Sequence, residues 1–162
     1  MKQLSCGILV LNDRAELLMC HVTGAWHWDI PKGGAEADEA PQAAALRETR
    51  EECGLVLSGV DLLDLGRQAY QRSKDLHLYA VRVQAFDATL CHCSSRYTDS
   101  WGRQRDEMDG FEWTPFDRVV RRSARHLGEL LTQTVSLPAL LARLQHSGPA
   151  ATSPRLLPRR MA

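Results

Sequence analysis

Residues 33–55 constrain this chain more than any other stretch. Gly33 and Gly34 stand side by side, and an alanine-rich run that includes Leu46 continues up to Gly54. Paired glycines weaken helix and strand alike, so Lys32-Gly33-Gly34 is expected to form a loop. Asp38 is the expected N-cap of the following helix, with Pro41 in its first turn. Gly54 is the natural residue to end it. Glu51 and Glu52 follow Glu48 by three and four residues. At about 100° per residue, the three carboxylates share roughly a quarter of the helix circumference. Such a cluster repels itself unless water, arginine or a hard divalent cation offsets it. Mg²⁺ and Mn²⁺ prefer oxygen ligands, and Mg²⁺ often binds through carboxylates together with substrate phosphates. The patch alone fits either a solvated acidic helix face or a centre for metal-assisted phosphate chemistry.

The spacing separates these readings. From Gly33 there are five residues to Glu39, seven more to Arg47-Glu48, two to Glu51-Glu52, and one to Gly54-Leu55. This pattern resembles the Nudix box of the Nudix hydrolase family at every fixed glycine and polar position. Two positions depart from it: Thr49 stands where a large aliphatic is usual, and Asp38 where a glycine is common. The resemblance implies that Glu48, Glu51 and Glu52 bind Mg²⁺, with Mn²⁺ as a substitute. The backbone carbonyl of Lys32 or Gly33 would join them. Arg47 and Glu39 would hold loop and helix together, and Arg47, Glu51 and Glu52 count as catalytic. The implied reaction is attack of water on phosphorus in a nucleoside diphosphate linked to another group. The metal would lower the pKa of the water, and a carboxylate would take its proton. In the family that base lies in the box or on a later loop. Glu107, in Asp106-Glu107-Met108-Asp109-Gly110, is the loop candidate; its alternative is a solvated acid.

The rest of the chain supports an α+β fold, the α/β/α Nudix sandwich with a mixed sheet flanked by helices. Residues 4–11 and 15–22 read as a strand hairpin around Asn12-Asp13-Arg14. A short strand at 26–30 ends at Pro31. Residues 55–65 and 76–83 read as strands, 94–110 as a long polar loop, and 111–113 as a short strand. Helical segments begin at Pro115, near Leu127 and after Pro138. A domain over 1–146 and a disordered basic tail over 147–162, marked by Arg155, Arg159 and Arg160, are expected. The N-terminus lacks the pattern of a secretory signal, and no apolar run approaches the length of a membrane span. Five cysteines, none in a C-x-x-C pair, predict free thiols in a reducing, cytoplasmic setting. Cys91-His92-Cys93 lacks a second ligand pair for zinc. Zero formal net charge gives no global pull toward nucleic acid or membrane. A monomer or homodimer is expected.

The substrate is written less plainly. Pro31-Lys32-Gly33 is similar to the segment of diadenosine polyphosphate and diphosphoinositol polyphosphate hydrolases, where a lysine sits beside the phosphates. Tyr70 stands fifteen residues beyond Leu55, a spacing associated with dinucleoside polyphosphate hydrolases. Lys74 and His77 are candidate phosphate contacts, or an ordinary turn and strand edge. No proline lies between Pro41 and Pro115, so the proline associated with ADP-ribose hydrolases is missing. The resemblance thus favours a small-molecule nucleotide, a dinucleoside polyphosphate first. Trp28, Pro31, Gly33 and Gly34 also resemble the layout of bacterial RNA pyrophosphohydrolases, which makes an RNA 5′ end the less favoured partner. Arg118, Arg121, Arg122 and Arg125 cluster in one helical segment and read as a solvated face. A non-catalytic Nudix-fold module is the alternative from another class, and the intact set of acids argues against it.

Overall fold

The computed structural model describes residues 1–159. Its centre is β1 (Gln3–Asn12), whose side chains alternate between two apolar clusters. Leu9 and Leu11 face one cluster; Cys6, Ile8 and Val10 face the other. β1 returns through a turn into β2 (Glu16–Val22), and the two pair antiparallel at Leu11–Leu17 and Asn12–Glu16. The hairpin expected from the sequence is present, but β2 stays beside β1 only at this end. It goes on to pair with β3 (Trp28–Asp29) and β10 (Met108–Pro115). β4 (Lys32–Gly34) takes the vacated edge, with Ser5 opposite Gly34, Cys6 opposite Gly33 and Gly7 opposite Lys32. Lys32-Gly33-Gly34 is therefore a short strand, not the expected loop. Its glycine backbone finds ladder partners on β1 that outweigh the conformational cost.

The other edge of β1 pairs in parallel with β7 (Lys74–Arg82), which pairs antiparallel with β6 (Leu63–Gln71). The main path through this mixed sheet is β10-β2-β1-β7-β6. Helix α1 (Pro41–Cys53) covers one face through Ala44, Ala45 and Cys53. On the other face lie α2 (Phe116–Arg122), α3 (Arg125–Gln133) and α4 (Leu137–Ser147), which bury Val119, Leu127 and Leu144 among others. This is the expected α/β/α sandwich. Among the described residues no helix is long and apolar enough to cross a membrane.

Several local expectations change. Ala40, not Asp38, is the N-cap of α1, and it makes no side-chain cap hydrogen bond. Pro41 at the first position carries no N–H, so the helix has one orphan donor fewer to satisfy. Asp38 sits at φ 61°, in the turn before the helix. Gly54 ends α1 as expected, at φ 74° with its N–H donating to the Arg50 carbonyl. A Cβ there would lie 2.7 Å from the His92 ring, so conformation and space both demand glycine. The strand expected over 55–65 is broken into β5 (Leu55–Val56), a 3₁₀ turn at Gly59–Asp61 and the start of β6. Residues 94–110 are not all loop: β8 (Arg96–Thr98) and β9 (Gln104–Asp106) form a hairpin. All five cysteines are free thiols.

Residues 147–159 are not a free tail. β11 (Arg155–Leu156) pairs antiparallel with β5, and the Leu157 N–H donates to the Gly54 carbonyl at 2.8 Å. Upstream, the Gln84 N–H donates to the Thr152 carbonyl at 2.8 Å, and Leu156 packs on the cluster beneath α1. Backbone pairing to existing edges needs no helical periodicity, which is why the apolar pattern did not reveal it. Arg160 lies outside the described residues. Deleting residues 151–162 should lower the melting temperature by on the order of 3–8 °C. An unchanged melting curve by circular dichroism would show that this segment adds nothing to stability.

Candidate active site

The site forms where β4 runs beneath α1. Glu48 and Glu52 are buried on the helix face toward β4, and Glu51 stands nearer solvent. Gly33 makes this possible: a Cβ built on it would fall inside the Glu48 carboxyl group. One residue earlier, the Lys32 N–H donates to Glu52 Oε2 at 2.9 Å. Burial pushes the Glu48 carboxyl above its ordinary pKa. Burial also pushes Glu52 up to about 8, against the Lys32 N–H and its ammonium charge. Two carboxyls thus pay desolvation with too little positive charge to offset it.

Arg47 organises the acids. Its Nε and Nη2 donate to the two Glu39 oxygens at 2.9 Å each, and Nη2 also donates to the Gly34 carbonyl at 3.0 Å. Nη1 donates to Glu48 at 2.8 Å and to Glu51 at 3.1 Å. Hydrogen bonds from Arg47 and from the Glu36 N–H hold the Glu39 carboxyl down at about 2. Arg47 and Glu39 thus join the turn before α1, the helix and β4. Thr49, the departure from the box pattern, is fully buried, and its hydroxyl donates to the Ala45 carbonyl at 2.8 Å.

The C-terminal end of α1 gathers a second segment. The Ser94 N–H donates to the Glu51 carbonyl at 2.7 Å. Ser95 then meets Glu107 twice: the Glu107 N–H donates to the Ser95 carbonyl at 3.0 Å, and the Ser95 hydroxyl donates to Glu107 Oε2 at 3.2 Å. The Thr23 N–H donates to the Glu107 carbonyl at 3.0 Å. Glu107 stands close enough for its charge to raise the Glu48 pKa further. On the other side of β4, the Lys32 ammonium meets Asp29 at 2.7 Å. Burial works against that ammonium, and Asp29 outweighs it, so its pKa is raised. Tyr70 senses the same pair: burial pushes its phenol up to about 12, with Asp29 adding and Lys32 opposing.

The donors suit a hard divalent cation, since all are carboxylate or backbone oxygens and two of the carboxyls lack solvent. Arg47 holds Glu48 and Glu51, and the Lys32 N–H holds Glu52. In that arrangement no three Asp, Glu, His or Cys side chains converge tightly enough to hold an ion, among the described residues.

The model of the NUDIX domain matches residues 1–133. The chain belongs to the Nudix family. It is 39% identical over 126 residues to an uncharacterized 17.7 kDa protein of the e–segB intergenic region of Enterobacteria phage T4, covering 71% of this chain and 83% of that protein. It is 28% identical over 126 residues to an RNA pyrophosphohydrolase of Marinomonas sp., covering 68% of this chain and 73% of the relative. The fold is also that of a C. elegans Ap4A hydrolase, with TM-score 0.58 at 20% identity, over 86% of this chain and 98% of that one. As a Nudix enzyme the protein is a pyrophosphohydrolase, and the family generally works with a divalent metal such as Mg²⁺.

Not every predicted residue joins this Nudix site. The box acids share Arg47 and the Lys32 N–H, Tyr70 lies within electrostatic reach of Lys32, and Glu107 reaches the end of α1 through Ser95. Lys74 begins β7 opposite Gln3 and is drawn into no side-chain contact with the box acids. His77 lies across β1 from Gly33, with Cys6 between them, which is roughly 10 Å away. It is engaged instead by Asp64 at 2.7 Å and stacks on Tyr79. Asp29 and Ser95 escaped the sequence reading. Asp29, three residues before Lys32, was legible as a possible ion-pair partner; Ser95 was not, because its role depends on the path of a loop. Arg122 proves more than a solvated arginine, since it lies over the Trp28 ring at 5.3 Å and binds Glu112 at 2.6 Å.

Gly33→Ala follows directly. The clashing group is the mobile end of a side chain, so the fold should tolerate it with a melting temperature near wild type. Glu48 must move, and turnover should fall on the order of 10²-fold or more. Wild-type turnover by this variant would contradict the placement of Glu48.

Proposed function

We propose that the protein hydrolyses a phosphoanhydride bond of a dinucleoside polyphosphate, with Mg²⁺ held by Glu48, Glu51, Glu52 and the carbonyl of Gly33 or Lys32. The observation that carries this reading is Lys32. Its N–H fixes Glu52 while its ammonium lies on the other side with Asp29 and near Tyr70. One residue therefore ties the acidic centre to a mostly buried Lys32–Asp29 ion pair with Tyr70 in electrostatic reach, where a polyphosphate would compete with Asp29 for the ammonium. The metal, when bound, neutralises phosphate charge and makes a bound water more acidic. The chain's own groups do the rest. Arg47 ties Glu48 and Glu51 to the Gly34 carbonyl of β4. Glu107, held by Ser95 within electrostatic reach of Glu48, takes the proton of the attacking water. A carboxylate outside the metal's immediate grip is the better acceptor, because a bound cation stabilises the charged form of its ligands.

Glu107→Gln should lower kcat about 10²- to 10⁴-fold and leave the Mg²⁺ concentration dependence largely unchanged. A rate loss with a much weaker Mg²⁺ response would make Glu107 a metal ligand. An unchanged rate would return the proton acceptor to the box.

A second reading, removal of pyrophosphate from a triphosphorylated RNA 5′ end, draws support from relatives named RNA pyrophosphohydrolase over about three quarters of the chain. A side-by-side assay of diadenosine tetraphosphate, triphosphorylated RNA and ADP-ribose, with products identified, separates the readings. The dinucleotide should turn over fastest and yield a nucleoside triphosphate. Faster turnover of ADP-ribose or of RNA would overturn the assignment.

A further inference from the structure

The exposed large aromatic side chains of the described residues all lie on two neighbouring turns. Trp26, 73% exposed, is in the turn between β2 and β3; Tyr97 and Trp101 are on the β8–β9 hairpin. Nothing in the reading of the acidic centre uses them. Burying such rings in the core would have been favourable, so their joint exposure needs an explanation. The two turns are neighbours: a Cβ built on Gly24 would lie 3.9 Å from the Tyr97 hydroxyl. A cleft of about 390 Å³ lies between them, lined by Thr23, Gly24, Arg96, Gln104 and Arg105 among others.

Both turns are rooted in Glu107. β8 starts directly after Ser95, β9 ends directly before Glu107, and the Glu107 carbonyl accepts from Thr23 at the base of the Trp26 turn. The aromatic rim is thus built on the same few residues that touch the end of α1. The arginines beside it are steered, not loose: Arg96 meets Asp106 at 3.1 Å, and Arg103 meets Asp99 at 3.1 Å while lying over the Trp101 ring at 5.2 Å. Each keeps about half or more of its side chain exposed. Exposed rings flanked by positioned guanidinium groups are what unpaired bases stack on.

We infer that Trp26 and Tyr97, on the two turns that flank the cleft lined by Arg96 and Arg105, form a subsite for the second nucleoside base of a dinucleoside polyphosphate, with Trp101 as its outer edge. The inference rests on the acidic centre being the place where the polyphosphate lies. From there the chain of contacts through Glu107 leads outward to the rim. A ligand with one base can fill one end of the polyphosphate path but not both.

The test is calorimetry in Mg²⁺ with two non-hydrolysable ligands, methylene-bridged diadenosine tetraphosphate and methylene-bridged adenosine tetraphosphate. They share the phosphates and differ by one nucleoside. Wild type should bind the two-base ligand about 10-fold or more tightly than the one-base ligand. Trp26→Ala and Tyr97→Ala should each erase most of that preference and leave the one-base Kd within about 2-fold, with Trp26→Phe retaining it. Equal weakening of both ligands, or no effect on either, would overturn the subsite. A Trp26-dependent preference for a triphosphorylated dinucleotide RNA over the two-base ligand would overturn the occupant. Turnover of unmodified diadenosine tetraphosphate is measured in parallel. Turnover without a two-base preference removes the subsite alone; a preference without turnover removes the hydrolytic reading and leaves the subsite standing.

Discussion

The Arg47 guanidinium is the constraint on which the site depends. Its planar fork reaches Glu39 before the helix, Glu48 and Glu51 on it, and the Gly34 carbonyl on β4. A lysine ammonium has three donors on a flexible stem and lacks this fixed fork. The guanidinium lets one helix face carry three acids without flying apart, and it fixes the distance between helix and strand. α1 starts without a side-chain cap because its N-cap, Ala40, carries no acceptor. Glu39, which stands just before the helix, spends its carboxylate on Arg47 and the Glu36 N–H.

The sheet supplies what Arg47 cannot. β2 leaves β1 after a few residues, and β4 fills the gap with glycine backbone. That exchange brings a strand without side-chain bulk under Glu48 and turns the next N–H toward Glu52. The same departure sends β2 toward β10, so the segment holding Glu107 arrives beyond the end of β2, beside Thr23. Topology therefore links the acids of one helix with a glutamate more than fifty residues later. Residues on one side of β4 face the acidic centre, and Lys32 on the other faces Asp29 and Tyr70. The acidic centre and the Lys32–Asp29 pair are separated by the thickness of one strand.

Much of this was legible in the sequence, for physical reasons. The spacing of Glu48, Glu51 and Glu52 is a property of the helix, so it could be read without a structure. Gly54 was legible because a helix end needs positive φ. The apolar run of residues 4–11 announced a buried strand. Lys32-Gly33-Gly34 was misread because glycine preference argues against a strand, while the free edge of β1 overrides preference. Asp38 was misread because N-cap chemistry is local, and here a tertiary partner for Glu39 and the missing N–H of Pro41 settle the start. The pairing of residues 155–156 was hidden because two-residue edge pairing leaves no periodic trace. Lys74 and His77 fitted a phosphate site by residue type alone, and strand register draws them elsewhere.

The central claim is that the box acids form one cation centre braced by β4. Mn²⁺ titration followed by electron paramagnetic resonance tests it most directly, on wild type and on Glu52→Gln, without any substrate. Glu52 is buried against the Lys32 N–H, and Gln keeps its volume while removing its charge. The account predicts a bound Mn²⁺ signal in wild type and an affinity loss of about 10-fold or more in the variant, with the melting temperature retained. Equal Mn²⁺ affinity in the two proteins would contradict it.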